Sequence, residues 1–133
     1  NCYTYFMKKI IFTLLFSTLV FSSPSYADWM KEGTTVSGNT YYVDLDRIRK
    51  HDGYVYFWEM HDWLKPSPWG DLSARNYNQG DCKAFRTKTL SASYYTDSMG
   101  NGTPSTSDSV QTEWHYPSPG SGIENTLQHV CSH

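Results

Sequence analysis

Tyr54-Val55-Tyr56-Phe57-Trp58-Glu59-Met60-His61-Asp62-Trp63-Leu64 reads as one long β-strand entered through the Asp52-Gly53 turn. Tyr54, Tyr56, Trp58 and Met60 alternate onto one side of it, Val55, Phe57 and Trp63 onto the other. A strand that is apolar on both faces belongs inside a sheet, covered by a helix or by a partner. Upstream, Thr40-Tyr41-Tyr42-Val43-Asp44 reads as a second strand. Downstream, residues 86–96 are rich in Thr, Ser and Tyr and read as extended. Val110, Thr112, Trp114 and Tyr116 alternate with Gln111, Glu113 and His115, the pattern of a half-buried strand. The Gly/Ser/Thr-rich stretch 100–109 reads as an exposed loop.

The period changes near the end. Ile123, Leu127, Val130 and Cys131 fall at i, i+4, i+7 and i+8, one face of a helix. Ser121 and Glu124 form a capping box in front of it, and Pro119-Gly120 stops any extended segment beforehand. A sheet with one terminal helix and no alternating βαβ pattern is an α+β antiparallel architecture.

The chain has 133 residues, 38% hydrophobic, 18% charged and 17% aromatic, with a formal net charge of -2. That length suits one domain, and no linker or repeat marks a second. No basic excess exists to hold nucleic acid by counterion release. Met7-Lys8-Lys9, the apolar run 10–21 and the exit Ser25-Tyr26-Ala27 are the three parts of a secretory signal peptide. The apolar run is shorter than the roughly 20 residues of a bilayer span. The expected organisation is therefore residues 1–27 as upstream residues plus a cleaved leader, and residues 28–133 as one exported domain with no membrane span after cleavage. Without Lys8 and Lys9 that domain carries nine basic residues against 13 acidic ones, a formal net charge of -4. No Cys adjoins the expected cut, which argues against a lipid anchor there.

Cleavage would remove Cys2 and leave Cys82 and Cys131, an even pair in an oxidising compartment, where a disulfide is the default. Their spacing is neither that of a C-x-x-C redox motif nor that of a zinc site. Such a bond would staple the helix to the sheet.

Early Trp29, the run 40–44 with Ile48-Arg49-Lys50, and Tyr54-Val55-Tyr56-Phe57-Trp58 after a turn form an ordered series. It continues through Ser73, Asp81-Cys82, Arg86, Met99-Gly100-Asn101-Gly102, Trp114 and Cys131. This series resembles the bacterial surface-adhesin protein E family over nearly all of residues 28–133. The resemblance implies an antiparallel sheet of about six strands carrying one C-terminal helix. It also implies a Gram-negative source, location in the periplasm or on the outer cell surface, and binding of host extracellular-matrix glycoproteins.

Few residues suggest catalysis. Asp44 and Asp46 sit where a strand gives way to a turn, a routine place for Asp. His129 and His133 have a spacing that can clip a metal ion, but His133 ends the chain and no third ligand is near, so no cofactor or metal is assigned. Arg47, Arg49, Lys50 and His51 form the one dense basic cluster, with Asp44, Asp46 and Asp52 around it. The aromatic content is more informative: five Trp, eight Tyr and two Phe fall within residues 28–133. A small sheet with one helix buries one face thoroughly, and exposed aromatics mark interaction surfaces. The expected partner-binding residues are Tyr41, Arg47, Arg49, Lys50, Tyr54, Tyr56, Trp58 and Trp69. Their partner would be a protein or glycan, or a second copy in a homodimer. The reading is a non-enzymatic binding module; the alternative is a periplasmic structural or stress-associated protein with a self-pairing aromatic face.

Overall fold

The computed structural model describes Tyr3 and residues 28–108 and 111–133. The leader reading, and Val110 of the expected last strand, lie outside the described residues. Among these, seven strands form one sheet: β1 (Trp29–Thr34), β2 (Thr40–Asp44), β3 (Arg49–His51), β4 (Tyr54–Asp62), β5 (Ser73–Asp81), β6 (Arg86–Tyr95) and β7 (Pro104–Asp108). One helix, α1 (Gly122–Ser132), follows. Every strand pair is antiparallel. The order is β1-β2-β4-β5-β6-β7, with β3 also paired to β4.

β2 and β3 share one edge of β4. Thr40 to Val43 oppose Asp62 to Glu59, and Arg49 to His51 oppose Tyr56 to Tyr54. Between them the chain leaves the sheet in a 3-10 turn, Leu45–Arg47, capped by Asp44, whose Oδ1 accepts the Asp46 N–H at 3.1 Å. The expected turn at this place is therefore present. β4 is central as expected, ending at Asp62 rather than Leu64.

Odd-numbered residues of β4 face α1. Val43, Val55, Phe57, Leu127 and Val130 make the core, with Leu45, Ile48, Phe85 and Cys131 packed around it. Burying each of the larger side chains contributes roughly 1.5–3 kcal/mol. Helix α1 begins as its sequence predicts: Ser121 Oγ accepts the Glu124 N–H at 3.2 Å, and Glu124 Oε1 accepts the Gly120 N–H at 3.3 Å. Cys82, just beyond β5, is bonded to Cys131 in the last turn of the helix.

Four strands, β1, β3, β5 and β7, lie where the sequence reading placed none. β5, Ser-Ala-Arg-Asn-Tyr-Asn-Gln-Gly-Asp, lacks an apolar alternation, yet it lies between β4 and β6. Neighbours satisfy its polar side chains: Asn78 Nδ2 donates to Glu59 Oε2 at 3.0 Å, and Thr89 Oγ1 donates to Asn78 Oδ1 at 3.0 Å. Stretch 100–109, expected as a loop, contains β7, which pairs with β6. Among the described residues, the segment expected as a strand at 110–116 forms none: it meets β6 through an isolated bridge, Thr87 with His115, and through Thr112, whose N–H donates to the Thr89 carbonyl and whose Oγ1 accepts the Thr89 N–H, each at 2.9 Å. β7 and this segment share the same edge of β6, so neither runs its whole length.

Candidate functional site: the sheet face opposite the helix

Even-numbered residues of β4 point away from α1, and around them aromatic rings and cations interleave. Trp58 is directly opposite Tyr77 in register, and their ring centroids are 4.9 Å apart. Tyr56 stacks on Tyr77 at 6.2 Å, with the Arg49 guanidinium 5.3 Å from the centre of the Tyr56 ring. Tyr54 stacks on Trp114 at 5.8 Å, and Arg86 and Lys88 lie 4.6 and 4.8 Å from the Trp114 ring centre. At the other end Arg75 lies 5.8 Å from Trp29 and 5.1 Å from Tyr95. Cations over aromatic faces are attracted by the ring quadrupole. These side chains are half-buried except Arg49, which is exposed.

Backbone contacts close the Arg75 end. The β6–β7 connection folds back so that Met99 N–H donates to Asp62 Oδ1 at 2.7 Å and Gly100 N–H to Ser73 Oγ at 2.8 Å. Arg75 Nη2 donates to the Gly100 carbonyl at 3.0 Å. Gly100 has φ +66, and a Cβ there would stand 2.3 Å from Arg75 Nε, so any other residue would be strained and would displace the Arg75 guanidinium.

The structure brings together Arg49, Tyr54, Tyr56 and Trp58 of the expected binding residues. It places the other four elsewhere. Tyr41 faces the helix side, edge-on to His61 at 4.5 Å, where burial and the Glu59 charge push its phenol pKa up. Arg47 is turned back to Asp44, Nε 3.0 Å from Oδ2 as an ion pair without hydrogen-bond alignment. Lys50 Nζ donates to the His133 carbonyl at 2.9 Å. Trp69 stands at the tip of the β4–β5 turn, 85% exposed. Conversely, the face recruits Arg75, Tyr77, Arg86 and Lys88, which sequence reasoning did not select for binding. Arg86 and Lys88 are two apart in an extended segment and so share a face, a signal present in the sequence.

Beneath the helix lies a small polar hollow of about 50 Å³, lined in part by Glu59, His61, Asn78, Thr87 and Thr126. His61 Nε2 is 3.3 Å from Glu59 Oε2, and Glu59 Oε1 is buried without a hydrogen-bond partner. Among the described residues no group of three or more His, Cys, Asp or Glu side chains is placed to hold a metal ion. His129 meets Glu32 of β1, Nδ1 to Oε1 at 2.7 Å. Among the described residues, too, no helix is long and apolar enough to cross a membrane.

A meandering antiparallel sheet with a C-terminal helix disulfide-bonded to one face of it defines a single α+β domain. The chain belongs to the surface-adhesin protein E family, whose model matches residues 29–132. Among solved structures it is similar to protein E of Haemophilus influenzae in crystal form II: TM-score 0.61 and 18% identity, with 86% of this chain and 94% of that chain covered. It is similar also to protein E from non-typeable Haemophilus influenzae: TM-score 0.56 and 18% identity, with 86% and 82% covered. At that identity the likeness establishes the fold. No curated protein sequence matches the chain.

Proposed function

We propose that this protein is an exported, non-enzymatic surface adhesin whose recognition surface is the sheet face opposite α1. One observation carries the reading: Arg49, Tyr54, Tyr56, Trp58, Tyr77, Arg86, Lys88 and Trp114 form a continuous tract on that face. Trp, Tyr and Arg dominate binding hot spots, because rigid rings and planar guanidinium groups give large contact area at small entropy cost. Here they are already stacked on one another, so little ordering remains to be done on binding. The partner that fits is a protein or glycoprotein bearing acidic groups, a host matrix glycoprotein among them. Family membership supports the adhesin reading.

The test is binding of the purified protein to immobilised matrix glycoproteins, beside the double variant Arg49→Glu/Tyr56→Ala. Saturable binding by the parent, weakened at least tenfold in the variant at equal folded fraction, supports the reading. Equal binding by both overturns it. Protease accessibility on intact cells gives the location: digestion before the outer membrane is broken places the protein outside, and protection until rupture makes it periplasmic.

A further inference from the structure

Away from that face, Trp69, Asp71, Tyr94 and Ser105 line a cleft of about 500 Å³, within the roughly 300–1,000 Å³ usual for small-molecule sites. Three features of the cleft define its chemistry.

Trp69 is presented, not merely exposed. Ser67 Oγ accepts the N–H groups of Trp69 and Asp71 at 3.3 and 3.1 Å. The Ser67 carbonyl accepts the Gly70 N–H at 2.9 Å, and the Ser67 N–H donates to the Asp71 carbonyl at 2.8 Å. Pro68 stiffens the same turn. An 85% exposed indole held on such a braced tip has no role in the core.

Tyr94 supplies a second aromatic wall, backed by Trp63 with ring centroids 6.4 Å apart and planes 22° from parallel.

Asp71 is 6% exposed, yet the groups on its carboxylate are neutral: the hydroxyl of Ser105 on Oδ1 and that of Ser67 at 3.5 Å from Oδ2. Among the described residues, no Lys, Arg or His lines the cleft and Asp71 takes part in no ion pair. A buried carboxylate without a counter-charge is costly. A cation in the cleft would supply that charge, and two aromatic walls beside a carboxylate are what holds alkylated ammonium groups.

We propose that this cleft binds a small organic cation with a methylated ammonium head. The site shares no residue with the ring-and-cation face and does not depend on the adhesin reading. Anions are disfavoured by Asp71. The head group could be that of a free ion or of a phosphocholine lipid, and the experiment separates the two.

Calorimetric titration with choline, with its uncharged isostere 3,3-dimethylbutan-1-ol, and with phosphatidylcholine vesicles is the test. Choline is expected to bind, the isostere at least tenfold more weakly. Trp69→Ala and Asp71→Asn should each reduce choline affinity about tenfold or more. The first changes only an exposed turn tip, and the second keeps an acceptor for Ser105, so folding is retained; melting temperature checks this. Arg49→Glu, on the other face, should leave choline binding unchanged. Choline binding with no vesicle binding assigns the free ion, and binding of both assigns the lipid head group as well. Absence of choline binding at millimolar concentration, equal binding of the isostere, or undiminished binding by Trp69→Ala would overturn the proposal.

Discussion

Gly80 of β5 lies directly under Leu127 of α1, so close that a Cβ at position 80 would stand 2.8 Å from Leu127 Cδ1 and 2.9 Å from Val55 Cγ1. The absence of a side chain there is what lets the helix settle onto β4 and β5. Gly80→Ala is expected to overpack this contact and destabilise the fold by about 1–3 kcal/mol. Leu127→Ala, at a fully buried position, should cost about 2–5 kcal/mol. Denaturant unfolding measures both, and an unchanged midpoint for Gly80→Ala would refute the tight-contact account.

The Cys82–Cys131 bond closes a sequence separation of 49 residues. In the chain-entropy model a loop of that length contributes about 4 kcal/mol. Because the bond joins helix to sheet, the double variant Cys82→Ser/Cys131→Ser should loosen α1 first. Hydrogen exchange is expected to show faster amide exchange in residues 122–132 than in β4 and β5, whereas uniform acceleration would contradict this.

Asp81 sets an acid-sensitive contribution. Its carboxyl pKa is held below the ordinary range, chiefly by the Ala84 N–H donated to Oδ1 at 3.0 Å, and further by Arg86 Nε donating to Oδ2 at 3.1 Å, against an opposing effect of burial. A depressed folded pKa gives stability that is fully present above the ordinary carboxylate range and is lost as pH falls through the folded value. Thermal unfolding of Asp81→Asn should therefore show a flatter acid limb than the parent, with the two curves differing most at neutral pH. Parallel curves would remove Asp81 from the account.

Arg49 is exposed and seated over Tyr56, 5.3 Å from the ring centre. Charge reversal at an interface rim acts mainly on encounter. For an acidic ligand, Arg49→Glu is expected to lower the association rate more than it raises the dissociation rate, with the difference shrinking at high salt. Arg47→Glu should act less on binding and more on stability, since Arg47 is paired with the buried Asp44. Binding kinetics over a range of ionic strengths distinguish these two roles.

β4, the 3-10 turn after β2 and the terminal helix were legible because each carries a local signature: two-faced apolar alternation, an Asp cap, and a 3.6-residue period with a capping box. β5 was not. Asn76, Asn78 and Gln79 have low strand propensity by themselves, and what makes Asn78 acceptable inside the sheet is Glu59 on one neighbour and Thr89 on the other. β7 was hidden for a similar reason, since Pro104-Ser-Thr-Ser-Asp108 looks like a loop until β6 offers an edge.

Of the expected binding residues, those on β4 were readable as a stripe, and Arg49 joined them through the β3–β4 pairing. Tyr41 stands out in the sequence only as an aromatic, and residue type says nothing about which side of a sheet a ring will occupy; Trp69 lies exposed in the Pro/Gly-rich loop 66–70, where its neighbours in sequence put it. Tyr41 lies on the helix side because Val43, two residues on, must face the core.

The sequence by itself determined the elements whose reasons are local, namely the central strand, the capped helix and the cysteine pair available to join them. Only the tertiary structure decided which polar segments became strands, and how cations from β3, β5 and β6 came to lie over rings from β1, β4, β6 and the segment around Trp114. The physical reason is register: a strand places alternate residues on a face, but which residues of distant strands share that face depends on pairings closed across the whole chain.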